Sequence, residues 1–203
     1  MSQLDLSRKR VLVVDDFNEM RRTLRRMLEG FGIKHIDDAG TAKETLVQLT
    51  REQYDIVFCD YNLGEGKNGQ QILEEARHRR LLKSDAAFIM ITAEVGQDMV
   101  LNAVEYKPDD YLTKPFVAAV LKKRLEKVLA RKESLAEIEE ALEHNDHARA
   151  VELCEARLAE HPRNRYEFLQ IQSEALIALG RFDEARAILD GVLAERPIAW
   201  ARF

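Results

Sequence analysis

DIVFCD, residues 55–60, sets four consecutive apolar side chains, Ile56 to Cys59, between two aspartates. A run this short and this apolar is what a strand covered on both faces requires, because neither face meets water. VLVVD at 11–15 lies upstream and AFIMIT, from residue 86 or 87 to 92, lies downstream; both read the same way. Between and around them fall amphipathic helical patterns near 19–30, 42–51, 69–82 and 95–105, with a weaker strand near 34–39. DYLTK at 110–114 is a fifth strand, and a last helix follows Pro115.

Five strand–helix units in this order predict a parallel sheet with helices on both faces, since parallel neighbours need right-handed crossover connections. The expected architecture is α/β, a flavodoxin-like doubly wound (βα)5 sheet. Met20, Leu24, Met27, Leu28 and Phe31 give the first helix its inward stripe, and Thr41 with Glu44 can form a capping box at the start of the second. Val117, Val120, Leu121, Leu125 and Val128 are the expected inward face of the last helix.

The remaining third of the chain is all helical in pattern. After Pro115 no proline or glycine occurs until Pro162, so the helix following Pro115 can run on unbroken, while Ser134 with Glu137 offers a competing restart as a capping box. The expected border lies near 131–134, dividing the chain into residues 1–131 and 132–203. ARAVELCEARLAEHP, from Ala148, is echoed by EARAILDGVLAERP, from Glu184, with Ala150 and Ala185, and Pro162 and Pro197, thirty-five residues apart. A helical-hairpin repeat accounts for the echo. It resembles the tetratricopeptide repeat, in which a small residue lets paired helices approach; the second copy carries Leu169, Ser173, Leu176, Ala185 and Pro197 at matching places. Each hairpin leaves an apolar face for a neighbour to cover. The expectation is that the array continues beyond residue 203 or that a partner subunit buries that face.

Composition excludes several classes. The chain is 46% apolar and 33% charged, which supports a folded core with a solvated surface rather than disorder. MSQLDLSRKR leads straight into VLVV without the apolar stretch of a signal peptide, and no later run approaches membrane-spanning length, so a cytoplasmic location without membrane insertion is expected. Cys59 and Cys154 show no metal-binding spacing and read as core residues. Residues 132–203 hold 9 Lys/Arg against 15 Asp/Glu, a balance unsuited to nucleic acid and to a DNA-reading helix. The histidines carry no convincing role.

In a parallel sheet the functional crevice lies beyond the carboxyl ends of the strands. Asp15 and Asp16 follow the first strand, Asp60 ends the third, Thr92 the fourth, and Lys114 follows the fifth. Three carboxylates in one crevice call for a cation, and hard oxygen donors point to Mg²⁺. A lysine and a hydroxyl opposite them suit the positioning and charge stabilisation of phosphoryl transfer.

VLVVDD, CDYNL, MITA and DYLTKP, in that order, resemble the receiver domains of two-component response regulators over nearly all of residues 8–131. The resemblance implies that Asp60 is the phosphoacceptor, that Asp16 binds Mg²⁺ directly and Asp15 through water, and that Asn62 offers its backbone carbonyl. It further implies that Thr92 and the Ala93 backbone N–H hold phosphoryl oxygens, that Lys114 pairs with the phosphoryl charge, and that Tyr111 is the aromatic switch. Tyr111 reads equally as a half-buried strand aromatic. Arg21, Arg22, Arg25 and Arg26 lie where the family meets its kinase, and also read as a solvated basic face. YNLGEGKNG after Asp60 lacks the proline common there, and Gly64, Gly66 and Gly69 are expected to make that loop mobile.

The resulting expectation is a phosphoacceptor rather than an enzyme, with self-catalysed transfer and autophosphatase activity only. A sensor histidine kinase would supply the phosphoryl group, and the repeat tail would signal by binding a protein partner, a homodimer being one form. The alternative is a phosphate sink or relay intermediate whose tail only dimerises the chain. A diguanylate cyclase signature is absent from residues 132–203.

Overall fold

The computed structural model describes residues 6–83, 85–93, 107–160, 164–195 and 199–201. They form two compact units, Met1–Lys132 and Glu133–Phe203. The first contains β1 (Arg10–Val14), α1 (Asn18–Gly30), β2 (His35–Ala39), α2 (Ala42–Arg51), β3 (Ile56–Asp60), α3 (Gly69–His78), β4 (Ala87–Thr92) and β5 (Asp110–Thr113). The helix expected over 95–105 lies outside the described residues. All strand pairs are parallel, in the order β2-β1-β3-β4-β5, which is the doubly wound flavodoxin-like arrangement.

Alternation along each central strand divides the core. Val11, Val13, Ile56, Phe58, Ile89 and Ile91 face one layer, where Leu24 and Leu28 of α1 meet Leu121, Leu125 and Val128 of the helix after Pro115. Leu12, Val14, Val57, Cys59, Phe88 and Met90 face the other, against Leu49 of α2 and Ile72, Leu73 and Ala76 of α3. With both layers dry, truncating one such leucine to alanine costs about 2–5 kcal/mol.

Local details depart from the sequence reading in instructive ways. α3 stops at His78 rather than near 82, because Arg80 turns to φ 53 and the Leu81 N–H closes back on the Ala76 carbonyl at 2.8 Å. Val117 and Val120 are 62% and 43% exposed: the inward stripe runs through Leu121, Leu125, Val128 and Leu129, and Val120 lies about 100° off it. Thr41 caps α2 through the Glu44 N–H at 3.2 Å, but the Glu44 carboxylate accepts from Gly40 N–H at 2.8 Å instead of from Thr41.

α4 (Ala118–Glu143) is one helix, and Ser134 does not restart it. Glu137 is instead engaged by Arg157 at 3.1 Å. Beyond α4, the second unit contains α5 (His147–Glu160), α6 (Arg165–Ala178), α7 (Phe182–Glu195) and a short 3-10 turn, Ala199–Ala201. Its core joins Leu135, Ile138, Ala150, Val151, Cys154, Phe168, Ala175, Leu176 and Ala185. Ala150 and Ala185 are both buried, and Pro162 and Pro197 fall outside the described residues. The thirty-five-residue period extends to the turns. Asn145 and Gly180, one period apart, carry φ 56 and φ 73. Asp146 N–H bonds to Ala141 at 2.8 Å, and Arg181 N–H to Leu176 at 2.9 Å. The same left-handed helix end is thus built twice, from Asn once and Gly once, the residue types that tolerate it.

Candidate functional site

Strand register builds the site. Val14 lies opposite Cys59, Asp60 opposite Ile91, and Thr92 opposite Thr113, so the carboxyl ends of β1, β3, β4 and β5 finish together. Asp15, one residue past β1, therefore stands beside Asp60, and Lys114, one residue past β5, faces both. Carboxylate oxygens of Asp15, Asp16 and Asp60 come within 4.8 Å of one another. Lys114 Nζ donates to Asp15 Oδ2 at 2.8 Å and reaches Asp60 Oδ1 at 2.8 Å. Its backbone N–H bonds to the Thr92 carbonyl at 2.7 Å, and the Lys114–Pro115 peptide is cis.

Burial grades the carboxylates. Asp15 is fully buried and its Oδ1 accepts from the Phe17 N–H at 2.9 Å; Asp60 is 6% exposed; Asp16 is open to solvent. Burial pushes the Asp60 carboxyl above its ordinary value, with Lys114 pulling the other way. Burial also works against the Lys114 charge, but hydrogen bonds to Asp15 and Asp60 outweigh it and hold the ammonium above its ordinary value. One ammonium against three carboxylates leaves an excess of negative charge on hard oxygen donors. That donor set fits a small divalent cation such as Mg²⁺.

A cleft of about 570 Å³ opens over this cluster, lined by Asp16, Phe17, Met20, Asp60, Asn62, Gly64, Ala93 and Lys114. Asn62 and Ala93 thus border the same space as the acidic cluster, and Thr92 is buried at the end of β4. Tyr111 is half-buried against the α2–α3 layer, where burial and then the nearby Tyr61 raise its phenol.

Two residues of the site escaped sequence reasoning. Arg21 is not a solvated side chain of a basic face: its guanidinium donates to the Asp15 carbonyl at 2.6 Å and the Asp16 carbonyl at 3.3 Å, while Nε holds Asp38 at 3.1 Å. Arg25 braces the same Asp38 at 2.8 Å. Arg21 therefore ties the loop bearing both acidic residues to the end of β2. An acidic pair near the end of β2, Asp37-Asp38, in the strand after the helix that follows the Asp15-Asp16 loop, was the available signal.

Gly69 is the other. A Cβ there would meet the Asp60 carbonyl oxygen at 2.4 Å and Met90 Sδ at 2.7 Å. The expectation that Gly69 adds mobility is corrected: it opens α3 beneath an Asn68–Gln71 capping box, and its N–H closes the loop on the Tyr61 carbonyl at 2.8 Å. Gly64 and Gly66, at φ 69 and 104, occupy the left-handed region.

Comparison with known proteins agrees with this architecture. The family model for the response regulator receiver domain matches residues 11–126, and that for the tetratricopeptide repeat matches residues 141–202. The chain is 33% identical over 122 residues to chemotaxis protein CheY-3 of Vibrio cholerae, covering 60% of this chain and 92% of that protein. It is 32% identical to chemotaxis protein CheY of Pseudomonas aeruginosa, covering 60% and 97%. Among solved structures, a CheY-like receiver domain protein from Methanospirillum hungatei JF-1 superposes with a TM-score of 0.55 at 26% identity, covering 62% of this chain and 96% of that one.

Proposed function

The chain belongs to the response regulator receiver domain family, with a tetratricopeptide-like tail, and on that premise we propose that Asp60 accepts a phosphoryl group from a sensor histidine kinase. Family membership supports a place in two-component signalling, and receiver domains are generally non-catalytic phosphoacceptors. The observation that carries the assignment of Asp60 is its place in the acidic cluster, within 2.8 Å of Lys114 at the mouth of the cleft.

In this reading residues 1–131 are the receiver and 132–203 the output domain. An Asp60 carboxylate oxygen attacks phosphorus in line; the new O–P bond forms as the P–N bond to the donor imidazole breaks, and the imidazole takes a proton from solvent. Burial favours this carboxylate as a nucleophile by stripping its hydration. Lys114 shifts from the carboxylate pair to the incoming phosphoryl oxygens, and the Thr92 hydroxyl and Ala93 N–H receive the others. Asp15, Asp16, Asp60 and the Asn62 carbonyl would hold Mg²⁺, which supplies charge neutralisation at the transferring group. Water later hydrolyses the acyl phosphate. Inward movement of Thr92 and Tyr111 would then shift an existing equilibrium of the receiver surface and alter what the tail binds.

The supporting test is Mg²⁺-dependent labelling by a small phosphodonor. Wild type gains one phosphoryl group by mass and Asp60→Asn gains none. Equal labelling of both proteins removes the assignment.

A further inference from the structure

The two repeat copies differ in what covers them. In the first, Val151 and Cys154 of α5 are buried beneath α6, with Leu142 and Leu158 packed around them. There α6 also supplies a polar contact, Gln172 Nε2 to Glu155 Oε1 at 3.2 Å. One period later Leu142, His147, Val151, Cys154, Glu155 and Leu158 become Ile177, Phe182, Arg186, Leu189, Asp190 and Leu193, and these line a groove of about 450 Å³ along α7. Among the described residues, Ala201 of the short turn is what borders it on the far side. Phe182 is 65% exposed and Ile177 47% exposed.

The substitutions across the period indicate the occupant. Where the covered copy has apolar Val151, the open copy has Arg186, so whatever lies there brings an anion. Where the covered copy has Glu155 accepting from Gln172, the open copy has Asp190, so the occupant also brings a donor. Arg186 and Asp190 are four residues apart on one face of a 14-residue helix, flanked by Phe182, Leu189 and Leu193. A surface that needs an anion opposite its cation and a donor opposite its carboxylate is self-complementary, as a two-fold interface demands.

We infer that α7 of one chain packs antiparallel on α7 of a second copy, each Arg186 facing the other copy's Asp190. This pairing brings each Phe182 level with Leu193 and Ala194 of the other copy and stacks the two Leu189 side chains near the axis. A parallel pairing is excluded by charge, since it sets Arg186 beside Arg186 and Asp190 beside Asp190. The apolar residues supply the association, and the two charge pairs supply its direction and register. The inference does not depend on phosphoryl transfer at Asp60.

The test uses the full chain without phosphodonor, following mass against concentration by sedimentation equilibrium. Wild type is a reversible dimer. Arg186→Glu and Asp190→Arg each weaken dimerisation by roughly tenfold or more, because every dimer then carries two like-charge contacts. The double variant R186E/D190R dimerises again, and an equimolar mixture of the two single variants yields mixed dimers. A wild-type chain that stays monomeric at the highest soluble concentration overturns the inference and leaves the groove to a different protein or a further segment. A dimer indifferent to both reversals also overturns it, by placing the contact elsewhere. Matching denaturation midpoints for the variants exclude misfolding as the cause of any loss.

Discussion

Adding one methyl group at Gly69 should damage both the receiver fold and the phosphoacceptor. The Cβ of Gly69→Ala lands 2.4 Å from the Asp60 carbonyl oxygen and 3.2 Å from its carbonyl carbon, and those atoms belong to a central strand. Relief to ordinary van der Waals contact needs a displacement of about 1 Å in a close-packed interior. Met90 Sδ, at 2.7 Å, blocks retreat on the other side. Over-packing of this kind costs roughly 1–3 kcal/mol, against which alanine recovers up to about 1 kcal/mol of backbone entropy. The net expectation is a loss of about 1–2 kcal/mol by urea denaturation. The same displacement carries the Asp60 carboxylate with it, and a misplacement near 1 Å at a reacting atom lowers the rate by about 100-fold. Phosphorylation by a small phosphodonor should slow accordingly. Gly30→Ala is the control: nothing lies within 4 Å of its Cβ and it closes α1 in helical conformation. A Gly69→Ala protein as stable and as quickly phosphorylated as wild type would show that the Asp60 backbone does not confine position 69.

Other perturbations follow from the same geometry. Arg21→Gln should raise the Mg²⁺ concentration for half-maximal phosphorylation several-fold and cost about 1–3 kcal/mol, because the carbonyls of Asp15 and Asp16 lose their shared donor. Arg21→Lys should rescue little, since an ammonium cannot span those carbonyls and Asp38 together; full rescue would show that charge alone suffices. Ala185→Leu should destabilise the repeat unit by about 1–3 kcal/mol in chemical denaturation, because Ala185 is 2% exposed at the helix-helix contact; an unchanged midpoint would mean the helices do not approach there. Neither thiol should react with a soluble disulfide reagent at pH 8 in the native protein: Cys59 is held above its ordinary value by burial, and burial pushes Cys154 up to about 12. Rapid modification of either without denaturant would contradict the packing.

What could be read from the amino acids, and what could not, follows the range of the interactions involved. Strands such as Ile56–Asp60 are local statements, an apolar run closed by a charge, and parallel topology then places Asp15, Asp60, Thr92 and Lys114 at one edge without further information. Arg21 and Gly69 were missed because their roles exist only after folding. Arg21 serves carbonyls five and six residues earlier together with a carboxylate on β2, and Gly69 is defined by the close approach of the Asp60 carbonyl and Met90, which leaves no room for a Cβ. The Ser134 capping pattern misled because a cap depends on extended backbone at its first residue, and the sequence Ser-x-x-Glu is also compatible with a helix interior. Val117 misled because it precedes the helix, which begins at Ala118, and Val120 because it matches the stripe in type but not in angle. In the repeats, the echo of Ala150 in Ala185 was visible, whereas Asn145 and Gly180 differ in type and share only the left-handed backbone they adopt.

The central claim is that Asp60 forms an acyl phosphate, and its most direct test is chemical trapping. Protein incubated with a small phosphodonor and Mg²⁺ is reduced with borohydride, digested, and sequenced by mass spectrometry. Homoserine is expected at position 60, in wild type with Mg²⁺ and not when the metal is chelated. Homoserine at Asp15 or Asp16 instead, or no conversion where a control receiver is converted, would contradict it.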